Sequence, residues 1–249
     1  MEKLMTIRKL SAFYGQKMIL RDISMDIEPN QITAVIGPSG CGKTTFLKTL
    51  NGLLPDEPGA KTEGEILLQG TDIRNLPREE LRKRVGLVFQ TPAPFPFSIY
   101  KNMTYAPIYH GIRDRKILDQ IVKEKLVMTG LYEEVKDELN KSALKLSGGQ
   151  MQRLCIARAL TVEPEILLLD EPCSALDVKS SAVIEEMLMN LKGRYTIIIV
   201  THNIAQAKRI ADNAAFFFDG RLAEYAPAAS LFSHPNEPET RAFLEGIYG

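Results

Sequence analysis

The 249-residue sequence has no tryptophan, only three cysteines and three histidines, and no excess of either charge, with 31 basic against 31 acidic side chains. Each shortage excludes something. Balanced charge leaves no global basic field to gather nucleic acid, so no nucleic-acid partner is expected. The one dense basic run, "LRKRVG" at 81–86, reads as a solvated helix end. Cys41, Cys155 and Cys173 form neither a metal-ligand spacing nor an even disulfide set, so reduced thiols and a cytosolic setting are expected. No apolar run approaches the roughly 20 residues that cross a bilayer. The opening "MEKLMTIRKLS" also lacks the apolar centre of a secretory signal. What remains is a 45% hydrophobic chain, enough for a real core in one large domain or a core with a smaller attachment.

The opening third alternates short strands and turns. A strand is expected over 31–36, a glycine-rich turn after it, and a helix from about residue 42. "GEILLQG" (64–70) and "VGLVF" read as further strands, with "REELRKR" a short helix between them. Residues 91–159 change character. They open on "TPAPFPF" and continue in helical segments without strand-like runs, as a helical subdomain inserted into an α/β core of 1–90 and 160–249 would. Beyond it, "EILLLDEP" and "YTIIIVTH" are unbroken apolar runs, the pattern of strands buried on both faces of a parallel sheet. "KSSAVIEEMLMNLKG" is helical and ends in Gly193; residues 214–226 read as a hairpin turning on Asp219-Gly220. The closing "PETRAFLEGIYG" reads as a helix that packs back on the core.

"GPSGCGKT" at 37–44 fits G-x-x-x-x-G-K-[ST] and lies between a strand and a helix, the context that pattern needs. The backbone of Gly37, Pro38, Ser39, Gly40, Cys41 and Gly42 would curl so that its N–H groups, which all but Pro38 carry, surround the phosphates. Lys43 would neutralise the β- and γ-phosphates of a nucleotide, and the Thr44 hydroxyl would ligate Mg2+. In "LLLDEP", Asp170 and Glu171 end an apolar strand, so their side chains diverge. Asp170 is assigned to the metal and Glu171 to polarising a water; the competing reading is a pair of acids capping the next helix. His202 and Gln90 also end strands, where ligands of open α/β sheets lie. They are read as a γ-phosphate contact and as a bridge between metal, water and helical insertion. Cys41, at a helix N-terminus beside Lys43, is expected to have a lowered thiol pKa and to block turnover when alkylated; a small residue chosen for fit is the alternative.

"LSGGQ" at 146–150 opens a helix with a glycine pair and looks like a second phosphate site, but it has no lysine. Taken with "GPSGCGKT", "ILLLDEP", "SALD" at 174–177 and His202, it occurs in the order found in ATP-binding subunits of ABC transporters, and nearly the whole chain resembles them. The resemblance implies a P-loop NTPase (RecA-like) core with a parallel sheet, an N-terminal antiparallel β-region and an inserted α-helical subdomain, all in one ATPase domain. It implies ATP and Mg2+, and a homodimer closed head-to-tail. In that dimer Ser147, Gly148, Gly149 and Gln150 meet the γ-phosphate held on the partner's phosphate loop. It assigns Tyr14 (or its neighbour Phe13) to stacking on adenine, Thr45 to an added phosphate contact, and Asp177 to communication between the two sites.

The resemblance also implies a place at the cytoplasmic face of the membrane, with two integral-membrane pore subunits and, indirectly, an extracytoplasmic solute-binding protein. Pore contact is expected through about 91–110, where Phe95, Phe97, Ile99 and Tyr100 lie in a proline-stiffened segment; a locally packed loop is the alternative. "PFPFSIY", "PGA" at 58–60 and the closing "YG" are similar to phosphate-importer ATPases. Cys173, Ala93 and a shorter 51–75 segment depart from that group. An importer ATPase for another solute, a soluble ABC ATPase of DNA repair or ribosomes, and a feebly hydrolysing switch are the other readings.

Overall fold

The computed structural model describes residues 3–247. Two sheets organise it. β1 (Met5–Tyr14) and β2 (Lys17–Ile27) pair antiparallel. β3 (Ile32–Ile36) leaves for the second sheet, while β4 (Ala60–Leu68) and β5 (Thr71–Asp72) complete the first in the order β2-β1-β4-β5. The second sheet adds β6 (Val85–Val88), β7 (Ile166–Asp170), β8 (Thr196–Val200), β9 (Asn213–Phe218) and β10 (Arg221–Pro227), ordered β10-β9-β3-β8-β7-β6. Its pairs are parallel except for the β9–β10 hairpin, which turns on Asp219 and Gly220, both left-handed (φ 47 and 74).

Every residue of β3, β7 and β8 is buried, as their unbroken apolar runs require. Alternate side chains go to opposite faces. Val35, Leu168 and Val200 join a core with α1 (Lys43–Leu50) and the antiparallel sheet. α2 (Arg78–Arg84) closes that side through Leu81.

Between β6 and β7 the regular elements are helices: α3 (Ile99–Tyr109), α4 (Arg115–Met128), α5 (Tyr132–Val135) and α6 (Gly148–Leu160). They share a small core of Ile99, Met103, Val122, Leu126, Leu154 and Ala157. Ala34, Leu167, Leu169 and Ile199, on the other face of the parallel sheet, pack with Cys155, Ile156 and Leu160 of α6 and with α7 (Val178–Leu191) and α8 (Ile204–Ile210). α9 (Ala228–Ser233) and α10 (Pro238–Leu244) finish the chain, and α10 sets Phe243 5.0 Å from the Phe216 ring, so the C-terminal segment does pack back on the core.

Three local expectations shift. The strand foreseen at 64–70 starts at Ala60 and ends at Leu68, because the polar "AKTE" stretch pairs with Ser11–Tyr14 of β1 through backbone bonds that hydropathy does not announce. The basic run at 81–86 is not simply solvated: Arg82 pairs with Asp56 and Arg84 with Glu165 at 2.6 Å, while Val85 and Gly86 already belong to β6. Inside 91–145 one isolated bridge joins Ser98 and Ser142. The closing "YG" lies outside the described residues. Among the described residues no helix is long and apolar enough to cross a membrane.

Candidate active site

Parallel strands bring their carboxyl ends to one edge, and four of them end in the residues singled out from sequence. Ile36 leads into Gly37, β7 ends in Asp170, β8 leads into Thr201 and His202, and β6 leads to Gln90. The registers fix this meeting: Val35 and Asp170 both lie opposite Val200, and Val88 lies opposite Leu169.

The phosphate loop folds around its own lysine. Lys43 is buried, and its Nζ donates to the Gly37 carbonyl at 2.7 Å and the Pro38 carbonyl at 2.8 Å. Ser39 and Gly40 form the exposed tip, Gly42 caps α1, and Thr45 is half-buried in its first turn. Gly37 has to be glycine: its φ is 147, and a Cβ there would lie 2.1 Å from the Phe217 carbonyl oxygen. The exposed Thr44 donates from Oγ1 to Asp170 Oδ1 at 3.2 Å. Burial holds the Asp170 carboxyl above the ordinary aspartate range, against the Thr44 bond that favours its ionised form.

This donor set suits a hard cation. Thr44 and Asp170 offer oxygens side by side, and Gln90, whose Nε2 is already donating, keeps an amide oxygen to offer. Among the described residues no group of three or more His, Cys, Asp or Glu could hold a metal, so nucleotide phosphates and waters would have to complete the shell.

Glu171 is the hub of the other half. Its Oε2 accepts from Gln90 Nε2 at 3.2 Å and lies 3.0 Å from His202 Nδ1, which must carry the hydrogen when it faces a carboxylate. Gln90 also donates to Ser174 Oγ at 3.2 Å. The Glu171 backbone sits in the left-handed region (φ 45) while its N–H still reaches the Val200 carbonyl at 2.9 Å. Ser174, the first residue of "SALD", carries no role readable from sequence; a serine with no pattern of its own gives no signal until its partner is known.

The signature "LSGGQ" builds the N-terminus of α6. Ser147 and Gln150 form a capping box, with Ser147 Oγ accepting from Gln150 N–H at 3.3 Å and Gln150 Oε1 from Ser147 N–H at 2.9 Å. Gln150 Nε2 donates to Glu134. The Gln150 side chain, grouped from sequence with the ligand contacts, is thus committed within the chain. Ser147 remains exposed, and its hydroxyl hydrogen can still be donated. Gly149 lies against α7: a Cβ there would meet Ser180 Oγ at 3.1 Å, while Gly148 faces Leu176. Asp177 caps α7 by accepting from Ser180 N–H at 2.9 Å and Ser180 Oγ at 2.8 Å.

With this geometry the comparisons agree. The ABC transporter family model matches residues 20–174. The chain belongs to the ABC transporter family. It is 52% identical over 251 residues, all of both chains, to the "Phosphate import ATP-binding protein PstB" of Thermotoga maritima. It is also 52% identical over 246 residues to PstB 3 of Streptococcus pneumoniae serotype 4, covering 98% of each chain. Among solved structures, CbiO1 of Clostridium perfringens, part of the ABC transporter complex cbiONQ, superposes with TM-score 0.82 at 28% identity, over 94% of this chain and 92% of that one. A bacterial Atm1-family ABC exporter with ATP bound gives TM-score 0.82 at 25% identity, covering all of this chain and 42% of that longer one.

In this ABC protein the β1 aromatics separate. Tyr14 packs half-buried against the first core and donates its hydroxyl to Glu57, which Lys48 of α1 holds at 2.7 Å. Burial and then Glu57 push the Tyr14 phenol up to about 12. Phe13 instead lies under the Lys61 ammonium at 4.4 Å. Cys41 contradicts its expectation: burial pushes its thiol up, outweighing Lys43, whose Nζ is 3.9 Å from the sulfur. Its thiolate therefore forms only at higher pH, which removes the ground for a reactive thiol.

The segment after Gln90 also sorts differently from its sequence reading. Ile99 is 1% exposed and belongs to the helical core, so it forms no part of a contact surface. Tyr100 is half-buried, donating to Asp119 at 2.6 Å. Phe97 is exposed as foreseen, and Phe89, Tyr105, Ile108 and Tyr109, unnamed from sequence, join it. Beside them runs a groove of about 680 Å³ lined by Phe89, Pro92, Ala93, Phe95 and Tyr105.

Proposed function

We propose that the chain is the ATP-hydrolysing subunit of an ABC importer for inorganic phosphate. The observation that carries hydrolysis is the meeting of Gln90, Glu171 and His202 on one carboxylate at the strand ends beside the phosphate loop. The solute follows from the full-length likeness to proteins named phosphate import ATP-binding protein.

An arriving nucleotide takes Lys43 from the two loop carbonyls, exchanging neutral acceptors for phosphate oxygens and giving charge-assisted bonds. The loop amides and Thr45 hold the β- and γ-phosphates, and Tyr14 offers a face to adenine. Mg2+, held by Thr44, Asp170 and Gln90, supplies neutralisation of the phosphate charge when bound. Glu171 orients the water and takes up its proton, and His202, tied to that carboxylate through Nδ1, faces the γ-phosphate with the rest of its ring. Ser147 and the Gly148 and Gly149 amides, aimed outward with the α6 dipole, complete the site of a second copy, where other phosphate-loop enzymes use an arginine in trans. Two membrane pore subunits dock on the apolar surface around Phe97 and Tyr105, and the subunit works at the cytoplasmic face.

The test is reconstitution in proteoliposomes with pore and binding subunits. ATP-dependent uptake of radiolabelled phosphate, lost with Glu171→Gln, is expected. Uptake of a different solute with none of phosphate would leave the ATPase reading and sink the substrate.

A further inference from the structure

Helix α6 is shared between two cores, with Leu154 and Ala157 in the helical cluster and Cys155, Ile156 and Leu160 in the sheet cluster. A helix packed on both sides moves as one body. Its first turn is the signature. Ten residues beyond Gly148, roughly 15 Å at the α-helical rise, Arg158 reaches the turn that follows Gln90.

Arg158 holds that turn by three contacts. Its guanidinium carbon lies 4.2 Å from the Phe95 ring centre. Nη1 donates to Asn102 Oδ1 at 3.2 Å, and Nη2 donates to the Ala93 carbonyl at 3.0 Å. Asn102 is fully buried and closes the same turn: the Phe95 N–H donates to its Oδ1 at 2.8 Å, and its Nδ2 donates to the Phe95 carbonyl at 3.1 Å and the Ser98 carbonyl at 3.0 Å. The chemistry at Glu171 and Lys43 makes no use of Arg158. Its described contacts are carbonyls, a ring and a thiol, with no carboxylate among them, a costly setting for a half-buried cation. A planar guanidinium can stack on a ring and donate sideways at once, which an ammonium cannot.

We propose that Arg158 is the positioning residue that makes the turn 93–98 travel with the signature helix. A displacement imposed at Ser147–Gly149 by the second copy's nucleotide then reaches the pore-docking surface without passing through the catalytic edge. The inference rests on the docking role given above to the surface around Phe97.

The test uses the assembled transporter in proteoliposomes, measuring phosphate taken up per ATP hydrolysed for the wild type, Arg158→Lys and Arg158→Met. Arg158→Met should lower that ratio about tenfold or more, and Arg158→Lys by an intermediate amount. A merely structural role would reduce turnover and melting temperature together and leave the ratio unchanged, which would overturn the proposal. Should Arg158→Met fail to fold, Phe95→Leu removes the stack from the other side and must lower the same ratio. If Phe97→Ser with Tyr105→Ser leaves pore assembly intact, the docking reading itself falls, and this inference with it.

Discussion

Ser180 is the tightest neighbour of the signature. It stands 3.1 Å from where a side chain on Gly149 would begin, and its hydroxyl is already bound to Asp177, so it has little room to retreat. A methyl at Gly149 therefore pushes the first turn of α6 away from α7 and misaims its amides. Gly149→Ala should lower ATP turnover at least tenfold, and Ser180→Gly placed in the same chain should recover most of it. Steady-state hydrolysis by the single and double variants checks this; equal losses in both would mean that the glycine serves only its exposed amide. At this scale the phosphate loop, Asp170, Glu171, His202 and Gln90 were legible because each sits where an apolar run stops. Ser174 and Arg158 were not, because their partners are neutral groups 84 and 65 residues away, and such bonds leave no local pattern.

Among the elements, the buried strands were the clearest to read, and they bear the most weight. Leu168 lies in the middle of β7 with no exposure and faces the core below the phosphate loop. Leu168→Ala should cost about 2–5 kcal/mol, measured as a shift in denaturant midpoint with unchanged slope. A loss below 1 kcal/mol would show that the layer collapses onto the gap. The helical insertion was legible as a block, but its faces were not. The prolines before them suggest an outward place for Ile99 and Tyr100, whereas the Ser98 cap starts a helix at 99 and sends Ile99 and Met103 inward, four apart. The outer residues Tyr105, Ile108 and Tyr109 follow from the same period once its start is fixed. The polar half of β4 remained hidden because an exposed edge pairs through its backbone, whatever its side chains.

For the molecule as a whole, one chain carries a complete phosphate loop and a signature that, on the function proposed above, completes the loop of another copy. Glu171→Gln, expected to slow hydrolysis while keeping the site's shape, should give a dimer in ATP and a monomer without it. Adding Ser147→Arg, which sets bulk and charge at the signature, should abolish that dimer. Light scattering distinguishes the cases, and a dimer that persists with Ser147→Arg would remove the signature from the contact. The left-handed peptide at Glu171 has a separate consequence. A non-glycine residue held at φ 45 costs on the order of 1–3 kcal/mol, so the backbone would rest more easily with glycine there, and the side chain's exposed contacts with Gln90 and His202 offset little of that. A lineage free of the need to split ATP, and under pressure only to endure heat, would lose this side chain early and become hardier and inert.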